Sequence, residues 1–104
     1  MNSKEIGKLA ATVAKAREAG FAAAQLLPND NGTSNLDCVV VDLGKGVRLA
    51  SLEAAGIDCW KAGPGLFALS GFPWQGARNT AGAQAQASVL SAAGVSCYVR
   101  YQMD

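Results

Sequence analysis

The sequence predicts an α+β fold in which an antiparallel sheet of about four strands carries two main helices on one face. Two segments, one near the N-terminus and one over residues 78–93, place apolar residues at helical spacing. Four short segments rich in β-branched and aromatic residues are bounded by glycine or other turn-forming residues. The length of 104 residues suits a single domain covering residues 1–104.

The first predicted helix begins near Ser3, which has the side chain of an N-cap residue. Its apolar residues share one face and its charged residues the other. A glycine inside a helix costs about 1 kcal/mol, which is tolerable at Gly20, so we favour a helix that continues to Pro28. A strand over residues 21–27 is the alternative. Turn-forming residues then fill positions 28–35.

Residues 36–43 form the first predicted strand, whose almost unbroken apolar run indicates a central position covered on both sides. A short helix is expected over residues 47–55, ending at Gly56. Residues 57–61 and 66–70 are predicted as the two strands of a hairpin. The second main helix ends at Gly94, and alternation over residues 95–102 predicts the last strand.

Two segments of the chain resemble each other. Residues 52–60 and 90–98 both read Leu-x-Ala-Ala-Gly-x-x-Cys followed by an aromatic residue. We interpret them as recurring helix-to-strand chemistry, with a duplicated domain as the alternative. In both interpretations Cys59 and Cys97 occupy equivalent strand positions that face a core.

The composition argues against several classes of function. A net charge of +1 gives no electrostatic footprint for DNA, and no apolar run approaches the ~20 residues of a membrane span. The N-terminus has no secretory apolar core, so we expect a cytoplasmic protein with reduced cysteines. There is no histidine, and the three cysteines lack metal-binding spacing, so we expect no metal and no cofactor. No paired acid and base is evident, which favours binding over catalysis.

Residues 71–80 are the strongest candidate for a binding site. They are predicted to run from a strand through a glycine-containing loop to a helix start, where amides and the helix dipole attract phosphate. Arg78 can donate to phosphate oxygens, and Asn79 and Thr80 add hydrogen bonds. The segment is not a nucleotide-hydrolysing P-loop, because Ala77 occupies the lysine position. The alternative is a polar first turn with Asn79 or Thr80 as N-cap.

Trp74, in the same loop, is either a core plug or an interaction anchor. Arg48 and Arg100 are the other arginines outside the first helix. A guanidinium group can stack on an adenine or pair with a phosphate, so both are candidates. A solvated surface position is the alternative for each.

Four motifs together resemble a known family: Asn31-Gly-Thr-Ser-Asn-Leu-Asp37, Gln75-Gly-Ala-Arg-Asn-Thr80, Ala93-Gly94 and Tyr101-Gln-Met-Asp104. In this combination, residues 30–104 resemble the phage Thoeris anti-defence sponge proteins of the first type. The resemblance implies a protein that sequesters cyclic ADP-ribose signals of bacterial TIR-domain immune enzymes without cleaving them. Some members of the family also hold cyclic oligonucleotides at separate sites. It further implies a homo-oligomer, a dimer or hexamer, with ligand pockets at subunit interfaces.

The resemblance and the residue chemistry define a set of candidate ligand-binding residues. The members are Arg78, Asn79 and Thr80 for phosphate, Phe67 or Trp74 for stacking, and Gln75, Gly76, Arg48, Arg100 and Tyr101 around them. Asn35 and Asp37 are expected to shape their loop. Ala77 and Asn79 replace an asparagine and an arginine that the family often has, which leaves the ligand preference open. A small inhibitor that binds a host protein, of the anti-CRISPR kind, is the alternative function, ahead of an orphan structural or assembly domain.

Overall fold

The computed structural model describes all 104 residues. It contains three helices and four strands. In chain order they are α1 (Ser3–Gln25), β1 (Cys38–Asp42), α2 (Leu49–Ala54), β2 (Cys59–Gly63), β3 (Leu66–Leu69), α3 (Ala77–Ala92) and β4 (Cys97–Arg100). None of the helices combines the length and the apolar character needed to span a membrane.

The four strands form one antiparallel sheet in the order β2-β3-β1-β4. β1 is an inner strand, as its apolar run predicts, and β2 and β3 form the predicted hairpin. Val40 lies opposite Ala68 of β3 on one side and opposite Tyr98 of β4 on the other. The sheet therefore has two edges, β2 and β4.

The two faces of the sheet are covered differently. On one face, Val39 and Phe67 pack into the main core with α1 and α3, which confirms the predicted α+β arrangement with both main helices on one side. On the opposite face, Cys38, Val40 and Ala68 form a separate buried cluster that contains strand residues only. β1 is thus buried on both sides, although helices cover only one of them.

The N-cap of helix α1 lies one residue earlier than predicted. Asn2 is the N-cap, and its side chain and that of Glu5 form a reciprocal capping box in which each accepts the other's backbone N–H at 2.9 Å. The helix continues through Gly20 to Gln25, as favoured from the sequence. Gly20 is required by packing, because the Phe72 ring lies against both Gly20 and Gly82 of α3.

The repeated segments adopt the same local structure. Gly56 and Gly94 end α2 and α3 with φ of 86° and 85°, a conformation that glycine adopts without strain. In each, the amide of the next residue donates to the carbonyl of a buried leucine four residues before the glycine, at 3.0 Å in both cases. Cys59 lies in the main core and Cys97 packs against it, as predicted. Because the Ile57 N–H takes part in closing the end of α2, β2 begins at Cys59, two residues later than expected.

We predict that Gly20→Ala destabilises the protein. An added Cβ would overlap the Phe72 ring and lie 2.8 Å from the Gly82 carbonyl oxygen. Overpacking of this kind costs about 1–3 kcal/mol, more than the gain in helix propensity of up to ~1 kcal/mol. Thermal or urea unfolding measures the difference.

Gly7→Ala is the matched control in the same helix, because no atom lies within 4 Å of the position that the added Cβ would occupy. It should stabilise the protein by up to ~1 kcal/mol through propensity alone. Equal effects of the two substitutions would contradict the packing described here.

Candidate functional site

The N-terminus of α3 is closed by a carboxylate from the loop between α1 and β1. Asp30 accepts hydrogen bonds from the backbone N–H groups of Gln75 at 3.1 Å, Gly76 at 3.1 Å and Arg78 at 2.9 Å. These amides are the ones from which the sequence predicts a phosphate site. The protein's own carboxylate occupies them, so a phosphate would have to displace it.

Asp30 is held in its ionised form by this contact. Desolvation, the largest single contribution, raises its pKa, but the three backbone hydrogen bonds, led by that of Arg78, and the charge of Arg78 together outweigh it. The net effect lowers the pKa of Asp30 below 3.8, the ordinary value for the group. An ionised side chain here also interacts favourably with the helix dipole.

Arg78 lies within the fold and does not extend into bulk solvent. Its guanidinium donates to the Leu27 carbonyl oxygen at 2.8 Å and sits 5.8 Å from the centre of the Trp74 ring. Its Nε atom is buried without a hydrogen-bond partner. The side chain thus connects the end of α1 to the loop before α3 and lies near the Trp74 ring.

Asn79 and Thr80 are parts of a buried polar network. The Asn79 amide donates to the Asn35 side-chain oxygen at 2.8 Å and to the Asp37 carbonyl at 3.0 Å, and its own oxygen accepts from the Phe72 N–H. The Thr80 hydroxyl donates to the Asp37 carboxylate at 2.7 Å. Asn79 is 4% exposed, so its predicted role as a phosphate ligand does not fit the structure. Gly76, not Asn79 or Thr80, is the N-cap residue.

The C-terminal segment joins the same network. The Gln102 N–H donates to the second oxygen of the Asp37 carboxylate at 2.8 Å, and the Asn35 side chain donates to the Gly76 carbonyl at 3.0 Å. The motifs that begin at Asn31, Gln75 and Tyr101 therefore meet at one point of the fold. The structural role expected for Asn35 and Asp37 is confirmed.

A groove of about 480 Å³ lies beside this network, at the end of the helix-free face of the sheet. Three strands contribute to its lining, with Trp60 from β2, Cys38 from β1 and Arg100 from β4. The loop before α3 contributes Trp74 and Gln75. A volume in this range is typical of pockets for small molecules.

Arg100 is the cationic group of this groove. It lies opposite Cys38 across the β1–β4 ladder, and its Nε atom is buried without a hydrogen-bond partner. Burial raises the pKa of the Cys38 thiol, although the Arg100 charge opposes this shift. Cys38 therefore stays a neutral thiol at physiological pH and does not neutralise the guanidinium.

Trp74 is packed on one side and accessible on the other, so it combines features of the two alternatives for its role. Its ring meets the Phe21 ring edge to face at 5.7 Å, and it remains partly exposed in the groove wall. Arg17 holds the preceding loop in place by donating to the carbonyl oxygens of Ser70 at 2.9 Å and Gly71 at 3.0 Å. The Trp74 ring is therefore preorganised by α1.

The remaining predicted residues are dispersed. Phe67 is fully buried in the main core, so its predicted stacking role is wrong. Arg48 is exposed at the start of α2 and lines neither groove. Tyr101 lines a second groove of about 620 Å³, and its hydroxyl accepts a hydrogen bond from Gln84.

Trp60 is the groove residue that the sequence analysis missed. It is 44% exposed, on the helix-free side of an edge strand. The sequence does contain a signal for its exposure. Trp60 follows a core cysteine in a strand, and alternation places the next side chain on the face opposite the core.

We predict that Asp30→Ala destabilises the fold at neutral pH, because three backbone N–H groups lose their acceptor. The folded-state pKa of Asp30 lies below 3.8. The stabilisation is therefore complete above that pH and is lost as the pH falls through the folded-state pKa. Melting temperatures of wild type and Asp30→Ala, measured from about pH 7 to about pH 2, should converge only at the acidic end.

Glu18→Ala, a change at an exposed position of α1, is the control and should shift the melting temperature little. A constant difference between wild type and Asp30→Ala down to the lowest pH would show that the carboxylate charge is not the stabilising element.

Comparison with known proteins identifies no relative. No protein-family model matches the chain, and no curated protein or solved structure is similar enough to it to match. The chemistry of the groove and its surroundings is therefore the basis for assigning a function.

Proposed function

We propose that the protein binds and sequesters a small, anionic, nucleotide-type immune signal of the cyclic ADP-ribose kind, without cleaving it. The groove between Trp60, Trp74 and Arg100 is the binding site in this proposal. Cyclic oligonucleotides, which share phosphates and bases with such a signal, are further candidate ligands.

The observation that carries the proposal is the unsatisfied hydrogen-bond donor of the Arg100 guanidinium. Its buried Nε lacks a hydrogen-bond partner, and a buried polar group without one costs about 1–3 kcal/mol. A planar guanidinium is suited to paired contacts with phosphate oxygens. A phosphate bound in the groove would satisfy this donor and supply the missing negative charge.

The two tryptophans offer stacking surfaces for the base of such a ligand. Trp60 and Trp74 line the same groove as Arg100, and one is exposed while the other is held by Phe21 and Arg78. Stacking of a base on an aromatic ring is worth about 1–3 kcal/mol. Gln75 and Gln102 add amide groups that can bind a ribose or a base edge.

The groove chemistry supports binding without cleavage. Asp37 is the only carboxylate in the lining, and both of its oxygens already accept hydrogen bonds within the protein. Cys38 is a buried neutral thiol. Neither group is free to act as a general base in the hydrolysis of a phosphate ester or a glycosidic bond.

The proposed setting follows from the same function. A sequestering protein acts where its signal is made, so we place this one in the cytoplasm of the infected bacterium. Sequestration also requires binding capacity rather than turnover, which suits a small protein present as a homo-oligomer with several equivalent sites.

The proposal is tested by depletion of the signal. Purified protein is mixed with individual cyclic ADP-ribose isomers and filtered, and the free compound is quantified. We expect the filtrate to lose the bound isomer and heating to return it intact. Recovery of a degraded product would identify an enzyme instead, and no depletion of any isomer would reject this ligand class.

Two substitutions locate the site. We predict that Arg100→Gln and Trp60→Ala each weaken binding by about 10- to 100-fold, because one removes the charged donor and the other the stacking surface. Arg48→Gln is the control, since this arginine is exposed and lies outside the groove. Circular dichroism checks that all three variants fold, and unchanged binding by Arg100→Gln would exclude the groove as the site.

The exposed apolar residues of the second groove favour an alternative, namely inhibition of a host protein by direct contact. Tyr101 and Met103 are 62% and 76% exposed and line this groove together with Leu27. Exposed aromatic residues and methionine are enriched at protein interfaces. If this function is the correct one, Met103→Asp should abolish protection of phage from the defence system, whereas Arg100→Gln should have no effect.

A further inference from the structure

The strand β4 leaves a long unpaired edge on the sheet. Its ladder with β1 continues beyond the strand, because the Asp42 N–H donates to the Ser96 carbonyl at 2.8 Å and the Leu36 N–H to the Gln102 carbonyl at 2.7 Å. Even-numbered residues from 96 to 102 therefore direct their backbone groups to β1. The N–H and C=O groups of Cys97, Val99 and Tyr101 point away from the sheet.

The two sheet edges differ in how they are protected. The β2 edge carries a register shift between Lys61 and Gly63 and an exposed lysine, both of which discourage pairing with another strand. The β4 edge is regular from residue 97 to 100 and contains neither proline nor lysine. An unprotected edge of this kind is a template for a further strand.

Helix α3 presents an uncharged surface beside this edge. Gln84 contacts the Tyr101 hydroxyl, and Ser91 lies 3.4 Å from the Cys97 sulfur, so this side of α3 flanks β4. Its exposed residues here are Gln84, Ser88 and Ser91, which are uncharged and small or flexible. A second copy of α3 could approach across the edge without charge repulsion.

We propose that two copies of the chain pair antiparallel through β4, with the two-fold axis at Val99, to form a continuous eight-stranded sheet. The outward backbone groups of Val99 then pair with those of its own copy, and Cys97 pairs with Tyr101 of the partner subunit. On the helix-free face, Tyr98 lies opposite Arg100 of the partner subunit, a favourable aromatic–guanidinium pair.

The chemistry of the edge favours this register over one centred on Arg100. A two-fold axis at Arg100 would add backbone pairs at the C-terminal end, but it would place the two Arg100 side chains directly opposite each other. Like charges in that position are destabilising. This inference does not depend on the proposed ligand.

Two charge substitutions at Tyr98 test the pairing, because they should change the dimer dissociation constant in opposite directions. Tyr98→Lys faces Arg100 of the partner subunit and should raise the dimer dissociation constant by about 2- to 30-fold, since two such pairs form per dimer. Tyr98→Glu creates two ion pairs instead and should lower it. Lys61→Glu on the β2 edge is the control and should leave it unchanged. Sedimentation equilibrium measures all four proteins.

Hydrogen exchange tests the same interface without a substitution. The amides of Cys97, Val99 and Tyr101 should become protected as the concentration is raised through the dissociation constant. The amides of Tyr98 and Arg100, which face β1, should stay protected throughout and serve as an internal control.

Three results would overturn the proposal. They are a monomer at millimolar concentration, an oligomer insensitive to both Tyr98 substitutions, and edge amides that gain protection only when an unrelated extended peptide is added. The last result would assign the edge to a different chain.

Discussion

The fold depends on the way the loop between α1 and β1 fastens the start of α3. Asp30 accepts hydrogen bonds from the backbone amides at the N-terminus of α3. Asn35 and Asp37 accept hydrogen bonds from the side chains of Asn79 and Thr80 in its first turn. Because these contacts bridge more than 40 residues, they join parts of the chain that no local propensity would bring together. The position of α3, the loop carrying Trp74 and the C-terminal segment all follow from this junction.

This junction also determines where an anion can bind. A helix N-terminus is an attractive site for phosphate in isolation, but here it is already satisfied by a carboxylate of the same chain. Two guanidinium groups have a buried Nε without a partner atom, those of Arg78 and Arg100, and only Arg100 lines the groove beside the polar network. The candidate site therefore lies on the helix-free face of the sheet, and not at the N-terminus of α3 where the sequence predicts it. It retains Trp74, Gln75 and Arg100 from the original set, and adds Trp60.

The sequence carried much of the architecture, because the signals involved are local. Helical spacing, glycine at helix ends and β-branched runs correctly predicted both main helices, the hairpin and the inner position of β1. The continuation of α1 through Gly20 was also predictable, since one glycine costs a helix little. Boundaries were less accurate, because the cap residue Asn2 competes with Ser3 for the same role.

The site was harder to predict, because its determinants are distant in sequence. Nothing local marks Asp30 as the partner of Gly76, or Arg17 as the residue that holds the loop before Trp74. Phe67 looked available for stacking, although its strand places it on the core side of the sheet. Arg100 and Trp74 were identified individually, but only the strand order shows that they share a groove with Trp60.

The junction constrains the length of the loop between α1 and β1. A surface segment rich in asparagine, glycine and serine is ordinarily where insertions accumulate without harm. Here Asp30, Asn35 and Asp37 each meet a fixed position on α3, so the length between them is as constrained as the spacing of residues in a core. Fusion tags and grafted epitopes therefore belong elsewhere on the molecule, such as the exposed turn between β1 and α2 at Lys45, which takes no part in this junction.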